Sequence, residues 1–160
     1  MKVQLIENDL LQNLVETARQ KERLRTNHNF HQELSENPNR FLNVMVQGTY
    51  IAPHHHSDPP KSESFVMLEG EVAFFLFDEG GEIRARYDLS AAPGSALRGI
   101  DIGPGIYHSI VVLSPHAVCF EVKPGPYVAQ NDKAFARWAP RENEPGTTEY
   151  MQMLLAWQKE

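Results

Sequence analysis

Residues 48–70 read GTYIAPHHHSDPPKSESFVMLEG, and the chemistry of the chain is concentrated in this stretch. Side chains two residues apart on an extended strand point to the same face, so His54 and His56 share one face and His55 points to the other. Glu63 opens the strand that follows the proline-containing loop. Two imidazoles on one inner wall can chelate a metal ion, and a carboxylate from the next strand can add a ligand.

A later strand supplies a fourth candidate ligand, His108 in the segment GPGIYHS. It can complete the site from across a barrel. Three imidazoles and one carboxylate suit a divalent Fe, Mn, Ni, Co or Zn ion, and a six-coordinate ion would keep two positions open for chemistry. The other nearby carboxylate, Asp58, lies in a proline-bound loop, so Glu63 is favoured. The competing interpretation is a polar surface loop of histidines, with His108 as a hydrogen-bonded core residue.

Short β-type runs broken by turn residues fill residues 40–122, which is typical of a β-sandwich or small barrel. The turns at residues 78–81 and 69–71 predict hairpins, and hence antiparallel neighbours. The run VAFFLF, residues 72–77, is apolar on both faces and must be covered on both. The N-terminal helix or a second subunit is expected to cover it, and this predicts a homodimer.

The barrel is flanked by two further segments, and together they predict one domain. Residues 1–39 contain an amphipathic helix, with apolar residues at helical spacing from Leu10 to Ala18, and then a polar connector. Residues 123–160 form a proline-rich wrap whose aromatic residues need packing partners, and this wrap ends in a short apolar helix. The predicted fold is therefore mainly β, with a helix at each end.

The composition limits the class of function. The chain has 160 residues, of which 41% are hydrophobic and 22% charged, and its formal net charge is −6. This acidic balance, without a long basic cluster, argues against nucleic-acid and membrane-surface partners and favours a small-molecule ligand. No apolar run is long enough for a membrane span or a signal peptide, so a cytoplasmic protein is expected. The single cysteine, Cys119, excludes an intrachain disulfide and is expected to be buried.

Two sets of spacings resemble the sequence motifs of the cupin superfamily, whose fold is a double-stranded β-helix, or jelly roll. The first set joins a glycine, a His-x-His pair and Glu63, which six residues separate from Gly70; the second is a Gly-x-x-His ending at His108. The sequence departs from the cupin pattern in two ways: six residues separate His56 from Glu63, and Val112 replaces a common asparagine. The resemblance implies a metal site formed by His54, His56, Glu63 and His108.

The segments RLRTNHNFH and EVKPGPYVAQNDKAFARWAPRE narrow the resemblance to WbuC-type cupin-fold metalloproteins, over about residues 23–142. Such proteins are associated with bacterial surface-polysaccharide gene clusters, which implies a sugar or sugar-nucleotide connection. The resemblance also points to residues near the pocket or its lid beyond the metal ligands. These are Arg25, Asn29, His31, Glu121, Tyr127 and Lys133.

Two classes of function follow from these observations. The first is a metal-dependent enzyme on a small polar metabolite, an isomerase or epimerase if the ion acts as a Lewis acid, or an oxygenase if it is iron. The second is a non-catalytic metal-binding or ligand-sensing module. An enzyme needs a positioned acid or base, and the candidates are Tyr107, His31 and Glu121, although strand alternation turns Tyr107 outward.

Overall fold

The computed structural model describes residues 3–130 and 132–158. Within them the chain forms a helix, ten strands and a second helix. The elements are α1 (Asn8–Arg19), β1 (Arg25–Asn29), β2 (Asn39–Val46), β3 (His54–His55), β4 (Glu63–Glu69), β5 (Glu71–Phe77), β6 (Ile83–Ser90), β7 (Gly99–Ile102), β8 (Tyr107–Val112), β9 (His116–Lys123), β10 (Ala134–Phe135) and α2 (Thr147–Ala156).

The strands form two five-stranded antiparallel sheets. The first sheet has the order β1-β2-β9-β4-β7, and the second has the order β10-β3-β8-β5-β6. Apolar side chains from both sheets meet between them, including Met45, Phe65, Phe74 and Ile110, and Cys119 is fully buried in the same cluster. The architecture is a jelly roll with a helix at each end, as the sequence predicts.

The sheets extend beyond residues 40–122 at both ends. β1 lies within the segment that reads as a polar connector, and it pairs with β2 over its whole length. Because β1 is an edge strand with a solvated face, its sequence RTNHN is polar and lacks the apolar alternation that would predict a strand. β10 lies within the wrap and pairs with β3, so the wrap becomes part of the second sheet beside His54.

The turn at Gly70 is a corner between the sheets, and the hairpin predicted there is wrong. β4 pairs with β7 and β9 in the first sheet, whereas β5 pairs with β6 and β8 in the second. Gly70 has a φ of +72°, and a Cβ there would lie 2.1 Å from the carbonyl oxygen of His116, so only glycine fits this corner. The hairpin predicted at residues 78–81 is confirmed, since β5 and β6 pair across it.

The outer face of β5 is covered by the C-terminal helix, so the cover predicted for it is wrong. Leu154 of α2 is fully buried against Phe75 and Val111, with Trp138 packed beside them. The N-terminal helix instead covers the outer face of the first sheet, where Val15 belongs to the same cluster as residues of β2 and β9. The homodimer stays a prediction, but β5 does not support it because the same chain buries its outer face.

Candidate metal centre

Four side chains from both sheets converge inside the barrel. His54 on β3 pairs directly with His108 on β8, and Glu63 begins β4 on the opposite sheet. His56 lies just beyond the end of β3. The exposed fraction of each of the four residues is 3% or less. Residues far apart in the sequence therefore share one enclosed position.

The distances within this cluster suit a single ion. One ligand atom from each of His54, His56, Glu63 and His108 lies within 4.8 Å of every other. The Nε2 atom of His56 lies 3.2 Å from Oε1 of Glu63, and the Nε2 atom of His108 lies 3.0 Å from Oε2 of the same carboxylate. All four side chains thus direct a donor atom toward one small volume.

Backbone carbonyls orient the three imidazoles. Nδ1 of His54 lies 2.9 Å from the carbonyl oxygen of Ala52, Nδ1 of His108 lies 2.9 Å from that of Ile106, and Nδ1 of His56 bonds to the carbonyl of Asp132. A carbonyl oxygen only accepts, so each Nδ1 carries the proton and each Nε2 of a neutral ring presents a lone pair. Metal-binding histidines are oriented in the same way.

Two of the inner atoms of the cluster have no hydrogen-bond partner within the described part of the chain. The Nε2 atoms of His56 and His108 face the oxygens of Glu63, and neither His56 Nε2 nor Glu63 Oε2 has a hydrogen-bond partner among the described residues. Burial holds the pKa of His54 well below its usual range, and the charge of Lys133 adds to this effect, so His54 is neutral. A divalent cation among these four donors would satisfy them, so the donor set fits a metal ion.

Glu63 supplies a carboxylate in its ionised form. Burial alone would raise its pKa, but the neighbouring His108 and His56 and the charge of Lys123 outweigh it, and the pKa lies well below its usual range. The alternative carboxylate, Asp58, is exposed in its loop and is not part of the cluster.

His55 lies on the outer side of the same strand. Its ring stacks on Tyr107, with the centroids 4.2 Å apart, and Tyr107 in turn packs against Trp138. His55 and Tyr107 are therefore separated from the cluster by the sheet itself. This matches the alternation expected of a strand, which places neighbouring residues on opposite faces.

A cavity of about 680 Å³ opens beside the cluster, and His54, Glu63 and His108 contribute to its wall. Four of the residues that the resemblance places near the pocket line it as well: Arg25, Glu121, Tyr127 and Lys133. The other two lie elsewhere. Asn29 is exposed on β1, and His31 is buried with its Nδ1 against the backbone of Arg40.

At the wall of this cavity, Arg25 on β1 connects the first sheet to Glu142 in the wrap. Its guanidinium binds the carboxylate of Glu142 and donates hydrogen bonds to the hydroxyl of Thr49 and the carbonyl of Tyr50. Arg23 also binds Glu142, at 2.8 Å. With these acceptors, Arg25 fastens the wrap to the first sheet.

A buried charged cluster ties the wrap to the candidate metal ligands, and the sequence did not predict the two lysines that complete it. The Asp132 carboxylate binds Lys61 at 3.0 Å and Lys123 at 2.9 Å, and all three side chains are buried. Lys123 lies 3.5 Å from Glu63, while the backbone carbonyl of Asp132 holds His56. Asp132 is therefore linked to two of the candidate ligands. Lys61 follows two prolines and precedes a serine, and this local sequence has no periodicity that predicts a buried lysine.

Glu121 is a second buried carboxyl group in the cavity. It lies on β9 and accepts a hydrogen bond of 3.0 Å from Asn43. Burial raises its pKa to about 8, the negative charge of Glu63 adds to this, and Lys123 and Lys133 oppose it. At neutral pH in the metal-free protein, Glu121 is therefore mostly protonated.

Glu121→Gln is expected to raise the melting temperature of the metal-free protein at pH 8 by on the order of 5 °C, with little change at pH 5. The pKa of Glu121 is raised by folding to about 8. The stability that it contributes is thus present below its unfolded pKa and is lost as the pH rises toward 8. Thermal melts of chelator-treated wild type and variant test this. A difference in melting temperature independent of pH would contradict the raised pKa.

Two antiparallel sheets around a buried three-histidine, one-carboxylate cluster define a cupin-type jelly roll with a candidate metal centre. Residues 6–89 match the family described as a domain of unknown function, DUF6016, and the chain belongs to this family. No curated protein matches the sequence significantly. Among the described residues, no helix has the length and apolar character required to cross a membrane.

Several solved structures share the fold. The capsular polysaccharide assembling protein CapF from Staphylococcus aureus superposes with a TM-score of 0.57 at 23% identity, over 72% of this chain and 32% of CapF. This chain thus matches about a third of the length of CapF. Protein SO0799 from Shewanella oneidensis gives a TM-score of 0.57 at 8% identity over 82% of this chain and 85% of its own. Protein TT1209 from Thermus thermophilus gives a TM-score of 0.53 at 19% identity, over 74% of this chain and 95% of its own.

Proposed function

We propose that this protein is a metal-dependent enzyme that acts on a small polar metabolite, with a sugar or sugar nucleotide as the substrate class. The observation that carries the proposal is the buried cluster of His54, His56, Glu63 and His108, in which every Nδ1 is engaged and the inner donor atoms converge within 4.8 Å of one another. Such a site binds Fe, Mn, Ni, Co or Zn. Bound there, the ion supplies a Lewis acid for an oxygen of the substrate.

Two observations support a sugar or sugar nucleotide as the substrate class. The cavity of about 680 Å³ lies within the range of small-molecule sites, and its lining is rich in polar and charged side chains. The fold is shared with CapF, a capsular polysaccharide assembling protein. The wrap motif resembles that of WbuC-type proteins, which agrees with this substrate class. We propose that the chain belongs to that narrower group.

Glu121 makes an isomerase or epimerase the favoured reaction class. It is a buried carboxyl group in the same cavity as Glu63 and His108, and a carboxyl with a pKa near neutrality can both accept and donate a proton. We assign to it the removal of a proton from the carbon next to a sugar carbonyl, and its return to the same or a neighbouring carbon. Glu121 carries the carbon-bound proton, and in an isomerisation the hydroxyl proton passes between the two neighbouring oxygens of the substrate. The substrate is neither oxidised nor reduced overall, so no oxidant is required.

Incubation with a panel of aldoses, ketoses and nucleotide sugars in D₂O tests this proposal. The metal-loaded protein is expected to exchange the C–H proton next to the carbonyl of its substrate for deuterium, measured by proton NMR. Chelation should stop the exchange, and Glu121→Gln should slow it about 10²- to 10⁴-fold. His55→Ala is the matched control and should exchange at the wild-type rate. Metal and sugar binding without any exchange would contradict the enzyme proposal and favour a non-catalytic ligand-binding module.

A further inference from the structure

Most of the basic side chains on the cavity wall have an acceptor within the protein, and Lys133 differs from them. Glu142 neutralises one of its two arginine partners, and Asp132 binds Lys123. Lys21 donates a hydrogen bond of 2.7 Å to a threonine hydroxyl. Lys133 also lines the cavity, and no carboxylate of residues 3–130 and 132–158 pairs or hydrogen-bonds with it.

The position of Lys133 is fixed by its neighbour in the sequence. Asp132 is buried and is anchored by two lysine ammonium groups, and its carbonyl binds His56. Lys133 therefore lies where the wrap forms part of the cavity wall, next to the candidate metal cluster. Lys133 lines the same cavity as His54 and Glu63, and it is exposed to solvent, as a group that meets a ligand must be.

The charge balance of the cavity favours a negatively charged ligand. Five basic and five acidic side chains line it, and the acidic Asp132 is shared with a further lysine, Lys61. A divalent ion at the cluster adds two positive charges, so the loaded cavity is positive, although the formal net charge of the protein is −6. An unpaired positive group in a partly desolvated wall gains most from an anion, because the interaction is stronger at low dielectric.

We propose that the ligand of this cavity carries a carboxylate or phosphate group, and that Lys133 binds that group beside the metal cluster. Lysine is a common phosphate and carboxylate ligand that acts as a point charge on a flexible stem. The inference rests on the proposed function, since it narrows the substrate from a polar metabolite to an acidic one, such as a sugar acid or a sugar phosphate.

Calorimetric titration with four probes tests the inference: glucuronate, glucose 6-phosphate, inorganic phosphate and neutral glucose. The wild type, metal-loaded and metal-free, is compared with Lys133→Met, Lys133→Arg and Lys21→Met. Lys133→Met is expected to weaken binding of the acidic probes about tenfold to hundredfold. Lys133→Arg should restore most of it. Lys21→Met, which removes a cavity lysine that already has a hydroxyl partner, should change it less than about twofold.

The outcomes separate this inference from the proposed function. A stronger response to glucuronate identifies a carboxylate ligand, and a stronger response to the two phosphates identifies a phosphate ligand; either supports the inference. Wild-type affinity for all acidic probes in Lys133→Met, or no preference of the wild type for acidic probes over glucose, would overturn it. Metal content is measured on the same samples. A protein that takes up no metal when loading is attempted, but still binds glucuronate through Lys133, would refute the metal enzyme and retain the anion site.

Discussion

Replacing His54 or His56 by alanine is expected to reduce the metal content from about one ion per chain to nearly none, whereas His55→Ala leaves it unchanged. Both inner histidines direct Nε2 toward the centre of the cluster that contains Glu63, and each is oriented through Nδ1 by a backbone carbonyl. Removing one of four buried donors leaves Glu63 with too few partners to hold an ion in a dehydrated site. His55 instead stacks on Tyr107 outside the barrel wall.

Elemental analysis of the three variants, purified without added metal, measures the effect. The control is matched because all three replacements remove the same side chain within three consecutive residues. Circular dichroism on each variant establishes that the fold is retained. Loss of the ion from His55→Ala to the same extent as from the other two would contradict the assignment of the inner pair.

The metal cluster was accessible to sequence reasoning because local periodicity determines its geometry. The two-residue spacing of His54 and His56 fixes their common face, and the start of a strand fixes Glu63. His108 required only the expectation that a later strand lies across the barrel. The general cupin resemblance and the mainly β fold with terminal helices are confirmed by the structure and its neighbours.

Contacts between distant segments were not accessible in the same way. The pairing of Asp132 with Lys61 joins two loops, and no periodicity connects them. The sequence predicts the N-terminal helix or a second subunit over β5, and the C-terminal helix lies there instead, because an apolar face requires a cover without specifying which element provides it. The hairpin predicted at Gly70 is wrong for a related reason, since a tight turn between strands can form either a hairpin or a corner between sheets.

The wrap that follows Val122 has two candidate roles, that of a lid over the cavity and that of a structural clasp. Its contacts favour the clasp. Leu154 is fully buried against Phe75, and Trp138 packs on Phe77 with ring centroids 5.0 Å apart. A fully buried side chain of this size contributes about 1.5–3 kcal/mol, and a domain is stable by only about 5–15 kcal/mol in total. Losing several such contacts is therefore enough to unfold the barrel.

Truncation after Val122 is accordingly expected to give a chain without a cooperative thermal transition, with or without metal, because it exposes the outer face of β5 and removes Asp132. Truncation after Pro140 is the matched comparison: it removes α2 but keeps β10 and the Asp132 ion pairs, and it should fold with reduced stability and still bind metal. Thermal melts and metal content of both truncated chains distinguish a clasp from a lid. A chain ending at Val122 that melts cooperatively and binds metal would contradict the clasp and leave the wrap as a lid, whose closure over the cavity would then serve turnover alone.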